Sequence, residues 1–319
     1  MTKTKCLMLC WLSISLSGCE LGQGSWLSVT QGLLLLFSCL ALLFIFAWVW
    51  RLREMKRAGQ DWQWPRPIEL VIGAVTDFFD TLGIGAFAPS TAMFRLGRIV
   101  PDELIPGTLN VGHTLPTIAQ ALIFIQIVEV APDTLLPMMA AAGGGAWLGT
   151  KVVGQLPRFH IRVGMGLALL LAASIMLLSL LGVLPAGLDA LSLSGWKWWV
   201  GVSGNFILGL LMPLGIGLYA PCMILVSLLG MSPLAAFPIM MGSCAFLMPI
   251  SSLGFFKNRR YLPSAALGLA LAGVPGVLLA AYLVKSLPLE YLRWIVVAVV
   301  LIVAITILKS AIEERNQAK

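Results

Sequence analysis

Apolar residues run almost unbroken through most of this chain, and the short polar breaks between them set the predicted elements. The run from Gly32 to Trp50 is long enough to cross a bilayer as one helix, because ~20 helical residues span the hydrocarbon core. Runs over 103–127, 135–156, 164–184, 231–256, 262–284 and 294–308 predict further single crossings. Two stretches, 68–97 and 199–230, are too long for one crossing and carry Gly-Ile-Gly near the middle, at Gly83-Ile84-Gly85 and Gly215-Ile216-Gly217. Each predicts a re-entrant hairpin, two half-helices that enter and leave the membrane on the same side.

Composition agrees with that pattern. Of the 319 residues, 59% are apolar and 11% charged, and the mean hydropathy is +0.94. Soluble domains carry about 25% charged residues. Too little polar side chain is present to cover a water-facing surface, which excludes a soluble enzyme, a disordered chain and a nucleic-acid module. The expected fold is an all-α polytopic membrane protein of roughly seven to nine membrane segments.

The net charge of +7 reflects topology rather than a nucleic-acid face, because Lys and Arg sit in short loops between apolar runs. Arg51, Arg53, Lys56 and Arg57 place the loop after the first crossing in the cytoplasm. The acidic loop Glu129–Asp133 then lies outside, and Arg158, Arg162, Lys257, Arg259, Arg260, Lys309 and Arg315 fall inside. The expectation is an N-terminus outside and a C-terminus in the cytoplasm of a bacterial inner membrane. Near the N-terminus, Leu16-Ser17-Gly18-Cys19 matches a lipoprotein cleavage box, although an unprocessed apolar leader is the preferred reading of so short a motif. The cysteines Cys6, Cys10, Cys19, Cys39, Cys222 and Cys244 form no CxxC pair and indicate neither a disulfide framework nor a zinc site.

The two hairpins are related. Leu82-Gly83-Ile84-Gly85-Ala86-Phe87-Ala88-Pro89 aligns with Leu214-Gly215-Ile216-Gly217-Leu218-Tyr219-Ala220-Pro221, and Pro106 aligns with Pro238. Further on, Leu156-Pro157 aligns with Leu287-Pro288. The organisation read from this is a leader over 1–31, a transmembrane helix over 32–50 and a cytoplasmic loop over 51–67. Repeat 1 follows over 68–184, an external loop over 185–198, repeat 2 over 199–309 and a cytoplasmic tail over 310–319. Each repeat is a hairpin plus three crossings, so the second sits upside down relative to the first. Inverted repeats with Gly-broken helices in corresponding positions are the architecture of secondary transporters. A helix broken in hydrocarbon leaves backbone groups unpaired, which is tolerated only where they line a cavity or meet a ligand. Two half-helix N-termini meeting near the midplane make an anion site without a buried Lys or Arg.

These residues carry a family resemblance. The stretches Asp77-Phe78-Phe79-Asp80-Thr81-Leu82-Gly83-Ile84-Gly85 and Pro106-Gly107-Thr108-Leu109-Asn110-Val111-Gly112-His113-Thr114, with Gly217–Cys222 and Gly242–Phe246, resemble the TauE/SafE-type sulfite exporter family of membrane permeases. The resemblance implies transport of small sulfur-containing anions such as sulfite, thiosulfate or organosulfonates. The family signature is richer in glycine at the break; Ala86 and Leu218 stand where a third glycine is usual, and the segment before residue 51 lies outside the common core.

Asp77 and Asp80 share one face of the first half-helix. A carboxylate in a membrane segment costs roughly 2.5–3.5 kcal/mol on insertion scales, which marks both as proton-coupling candidates. One of them must be neutral for an anion to bind beside them, so substrate and proton would bind together. The structural alternative is a helix cap or an ion pair with Arg95. His113 is expected to donate to the anion or to share a proton with Asp80, and Asn110, His113 and Thr117 form a polar stripe at helical spacing. The substrate-binding candidates are Thr81, Gly83, Ile84, Gly85, Asn110, His113, Thr114, Gly215, Ile216, Gly217, Tyr219, Cys222 and Ser243. For Cys222 and Cys244 the plainer reading is a small buried hydrophobe. Trp48, Trp50, Trp196, Trp198 and Trp199 read as an interfacial belt.

Gly201-Val202-Ser203-Gly204 resembles the motif of intramembrane serine proteases, but both His residues precede Ser203 and that chemistry needs a later one. No metalloprotease or nucleotide-binding motif is present, so neither an enzyme nor a cofactor is expected. The expected function is secondary transport of a small anion, with a channel-like uniporter or a membrane scaffold as alternatives. The expected partners are the substrate and the lipid bilayer; nucleic acid is not among them, and the sequence leaves the oligomeric state, a homo-oligomer included, open.

Overall fold

The computed structural model describes residues 26–59, 62–83, 85–101, 103–152, 190–215, 217–232 and 234–286, with scattered positions over 163–181 and 294–312. The leader as far as residue 25, with Cys19, the glycine-turn centres Ile84 and Ile216, the Arg158–Arg162 loop with His160 and all of the cytoplasmic tail but Ile312 lie outside the described residues. So do the Leu156-Pro157 and Leu287-Pro288 pairs and most of the last crossing of each repeat.

The described elements are helical. A long helix, α1 (Trp26–Arg57), begins within the span read as leader. It is followed by a broken pair, α2 (Pro67–Thr81) and α3 (Phe87–Leu96), and by the continuous helices α4 (Ile105–Ile127) and α5 (Pro132–Val152). The series then repeats. Helix α6 (Trp196–Leu211) runs through one 3-10 turn, Met212–Leu214, to a break before α7 (Tyr219–Leu228), and α8 (Ala236–Asn258) and α9 (Pro263–Ser286) follow. Lengths correspond across the series: α3 and α7 have 10 residues each, and α4 and α8 have 23 each. Among the described residues three helices are long and apolar enough to cross a membrane, Val29–Arg57, Ala236–Asn258 and Pro263–Leu283. Helix α4 has the length, but it carries Thr108, Asn110, His113, Thr114, Thr117 and Gln120, all buried inside the protein.

Both breaks fall where the glycines predict. Gly83 and Gly85 have φ of 94° and 84°, and Gly215 has 83°, a left-handed backbone that side chains with a Cβ resist. Ala86 and Leu218 need no such freedom: their φ values are −72° and −81°, right-handed caps that any residue adopts, so a third glycine is dispensable at each site.

Packing exchanges partners between the two series. Helix α2 lies along α9, and α6 lies along α5; α4 meets α8 at the centre, and it also meets α9, as α8 meets α5. The close pairs rest on small residues, which let backbones touch where lipid supplies no hydrophobic drive. A Cβ on Gly276 would strike the Ala74 carbonyl, one on Gly73 the Leu269 backbone, and one on Gly209 the Ala142 carbonyl. Gly209→Val is therefore expected to cost about 1–3 kcal/mol by overpacking, read as a lower thermal midpoint in detergent. Gly32→Val in α1, with nothing within 4 Å of the added Cβ, is the matched control and should not lower the midpoint.

Helix α1 packs on α4 and α8 through Leu33, Phe37, Phe44 and Trp48, and Phe44 stacks on Phe256 at 5.8 Å. Its other face, with Leu35, Leu42, Leu43 and Phe46, is exposed, as lipid contact requires. Trp48 thus belongs to the interior rather than to an aromatic belt, whereas Trp50, Trp196 and Trp199 are exposed. Trp198 donates its indole N–H to the Asp133 carbonyl at 2.8 Å, tying α6 to the start of α5.

Candidate functional site at the two helix breaks

The break after α2 brings its carboxylates into the interior. Asp77 and Asp80 are 0% and 3% exposed and His113 is 1% exposed, so any charge on them is removed from solvent. Burial of this kind is tolerated when each group finds partners, and most of these do. His113 Nδ1 lies 2.9 Å from Asp77 Oδ1, and His113 Nε2 lies 3.1 Å from the Ser90 hydroxyl. The result is a chain Asp77–His113–Ser90 that links α2 to α3 through α4. Asp77 Oδ2 has no hydrogen-bond partner and sits against the backbone of Gly273 in α9.

Asp80 reaches around the break. Its Oδ1 accepts the Ala86 N–H at 2.5 Å, at the cap of α3, so a side chain of the first half-helix fills the anion position at the mouth of the second. Its Oδ2 accepts from Gln120 Nε2 at 2.9 Å. Gln120 Nε2 also donates to Thr81 Oγ1 at 3.1 Å, and Thr81 in turn donates to the Asp77 carbonyl at 2.7 Å. On its other side, Gln120 Oε1 accepts from the Tyr219 hydroxyl at the start of α7. The two broken elements are thereby joined, tip to tip, through one amide of α4.

A small cavity lies between the tips. Asp80, Gly85, Ala86, His113 and Thr117 form its wall on one side, and Gly217, Tyr219, Met212, Cys244 and Met248 on the other. The second wall is neutral and soft. Met212, at the position matching Asp80 in the first series, touches Cys244 through sulfur at 3.8 Å. The polar link between α6 and α8 is likewise uncharged: Asn205 Nδ2 donates to Ser243 Oγ at 2.9 Å and to the Met138 carbonyl at 2.7 Å.

The expected site residues divide accordingly. Asp80, Gly85, His113, Gly217 and Tyr219 line the cavity, and Asp77, Thr81 and Gly83 stand directly behind it. Gly215 shapes the second turn and faces Pro106. Asn110 turns away, donating from Nδ2 to the Pro106 carbonyl of its own helix at 2.9 Å, and Thr114 bonds the Asn110 carbonyl and faces Ser252 on α8. Cys222 is buried outside the lining, as is Ser243. His113 pairs with Asp77 and not with Asp80, because Asp80 is drawn across the break to Ala86.

Three residues of weight were absent from the sequence reading. Gln120 continues the Asn110–His113–Thr117 stripe by one further turn, a signal the spacing carried. Ser90 becomes a partner of His113 only through the fold at the break. Glu69, fully buried, accepts the Arg66 N–H at 2.8 Å and closes the start of α2 as a cap.

The family model described as Sulfite exporter TauE/SafE matches residues 5–177, more than half of the chain. That span takes in α1, which the sequence reading set outside the common core, together with the first helix break and α4 and α5. No curated protein and no solved structure matches the chain. The chain is a membrane transporter and belongs to the sulfite exporter TauE/SafE family.

Proposed function

We propose that this protein is a proton-coupled secondary carrier of a small sulfur oxyanion or organosulfonate, with its substrate site in the cavity between the two helix breaks. The observation that carries the reading is the buried Asp77–His113 and Asp80–Gln120–Tyr219 array facing that cavity. Groups that exchange protons, sealed from water and set at glycine-broken helices, are the equipment of a coupled carrier rather than of a scaffold.

Two inverted repeats, 68–184 and 199–309, account for the matched helix lengths and for the exchanged packing of α2 on α9 and α6 on α5. That exchange bears on how the carrier moves. Each broken element is held by the last described helix of the other repeat, so the natural moving bodies are α2–α3 with α9 and α6–α7 with α5. Rocking of one intact repeat against the other would tear both small-residue seams. The membrane is the bacterial inner membrane, with the N-terminus outside and Lys56, Arg57 and Lys257 inside.

The Asp77–His113–Ser90 chain has the order of contacts found in a hydrolase triad, yet Ser90 is fully buried and does not line the cavity. A nucleophile with no approach for substrate has no substrate. We assign the chain a proton-sharing role and the protein no enzymatic one.

The test is uptake of labelled sulfite and thiosulfate by proteoliposomes holding the full chain, with and without an imposed pH gradient. Accumulation that follows the gradient is the expected result. Equilibration indifferent to pH would identify a uniporter. No flux of either anion, with a sulfonate panel also negative in folded protein, would overturn the carrier reading.

A further inference from the structure

We propose that Gln120 is a switching relay that reports the protonation state of Asp80 to Tyr219, turning the tyrosine hydroxyl toward the cavity when Asp80 becomes neutral. The inference rests on the carrier reading for its purpose, though not for its geometry.

The orientation of the Gln120 amide is fixed by hydrogen-bond accounting. Thr81 spends its one proton on the Asp77 carbonyl, so toward Gln120 its oxygen only accepts, and the atom of Gln120 beside it must be the NH₂. The same NH₂ serves Asp80 Oδ2, leaving Oε1 to accept from Tyr219. Both carboxylate oxygens of Asp80 thus face donors, the Ala86 N–H and the Gln120 NH₂. That is the arrangement of an ionised Asp80.

A proton arriving on either oxygen sets donor against donor. The Ala86 N–H belongs to the cap of α3 and cannot turn without moving the half-helix, whereas a Gln amide can rotate about its last torsion. The proton therefore settles on Oδ2 and the amide reverses. Oε1 then accepts the new Asp80 O–H and also the Thr81 proton, which swings over from the Asp77 carbonyl, while Nε2 points at the Tyr219 oxygen. Tyr219 changes from donor to acceptor on that side, and its O–H turns to the side where Thr117 lies against it and both residues line the cavity. A neutral carboxyl and a free hydroxyl donor then appear together beside the site, the pairing an anion requires. The covalent balance is one proton gained by Asp80; no bond other than O–H is made.

Asp80 does not titrate alone in this setting. Asp77 faces it from its own helix, His113 from α4, Tyr219 from α7 and Cys244 from α8. A site-resolved readout is therefore needed, and infrared difference spectra of the full chain in lipid, titrated with pH and without any anion substrate, supply it. The carboxylic C=O band lost in Asp80→Asn reports Asp80. Because the chain has 4 tyrosines, the ring band lost in Tyr219→Phe reports Tyr219.

In the wild type the two bands are expected to move with one midpoint. In Gln120→Met the carboxyl band should still titrate while the tyrosine band loses its pH dependence, and Gln120→Asn, too short to span both partners, should do the same. A tyrosine band that stays silent in the wild type overturns the relay, as does one that keeps its pH response in either folded variant. Failure of the two readings is distinguishable. A responsive relay in protein that moves no anion sinks the carrier reading alone, and transport with unaltered pH dependence in Gln120→Met sinks the relay alone.

Discussion

Asp80→Asn is expected to abolish pH-gradient-driven uptake while leaving the protein folded. The substitution keeps an acceptor for the Ala86 N–H, so the cap of α3 survives. It places an NH₂ where the carboxylate had accepted from Gln120, so the Gln120 amide must reverse as it does for a neutral Asp80 and the bond loses its charge. Loss of that one charge-assisted bond costs about 1.5–3 kcal/mol, a fall in thermal midpoint that a transporter within the usual stability range survives. No proton can be gained or lost at the new side chain, so accumulation against the gradient should disappear entirely rather than slow. Proteoliposome uptake measured beside detergent melting separates the two effects. Undiminished accumulation in the variant would remove Asp80 from the coupling role, and a collapse of the melting curve would make it structural.

His113→Ala should do the opposite, damaging the fold at least as much as the flux. Among the described residues Asp77 has a single side-chain partner, His113, and its second oxygen already lies unbonded against Gly273. Without the imidazole a fully buried carboxylate loses its remaining bond, and breaking a buried pair on one side costs about 3–5 kcal/mol. Asp77→Leu alone leaves the buried Nδ1 of His113 without its partner, Ser90 still holding Nε2. The double variant Asp77→Leu/His113→Ala removes both liabilities, so it should be less destabilised than the sum of the singles. Thermal unfolding of the four proteins measures this directly. Strict additivity would mean that the 2.9 Å contact carries no coupling energy.

The positions of both helix breaks were legible in the sequence because Gly-x-Gly followed by Ala-Pro leaves a helix nowhere to continue. The partners of Asp80 were not legible, since a carboxylate three residues before a turn can fold back on its own helix or reach across. Only the path of the turn decides that it meets Ala86. The polar stripe on α4 was half right for a related reason. Period alone aligned Asn110 with His113 and Thr117, but Asn110 found an acceptor within its own helix at Pro106 and left the site. Gln120 extends the same stripe and was readable; an amide attracts less notice than a carboxylate or an imidazole, although it holds the two halves together. The exchange of helices between repeats had no local signature at all, because a small-residue seam records that a close neighbour exists and not which one.

That exchange also sets an order of events during synthesis. Glu69 and Asp77 lie on α2, and the surface that seals them, with Gly268, Gly273 and Ser264, belongs to α9 at the far end of the chain. A ribosome that has delivered α2 through α8 has therefore placed two carboxylates in the bilayer with their covering helix still unmade. The nascent protein must hold them neutral, wet or chaperoned until Pro263 and the residues after it emerge. Chains cut short of α9 are left with acidic groups open to lipid, which makes them natural targets for membrane proteolysis and makes the last fifth of the message decisive for the survival of the first.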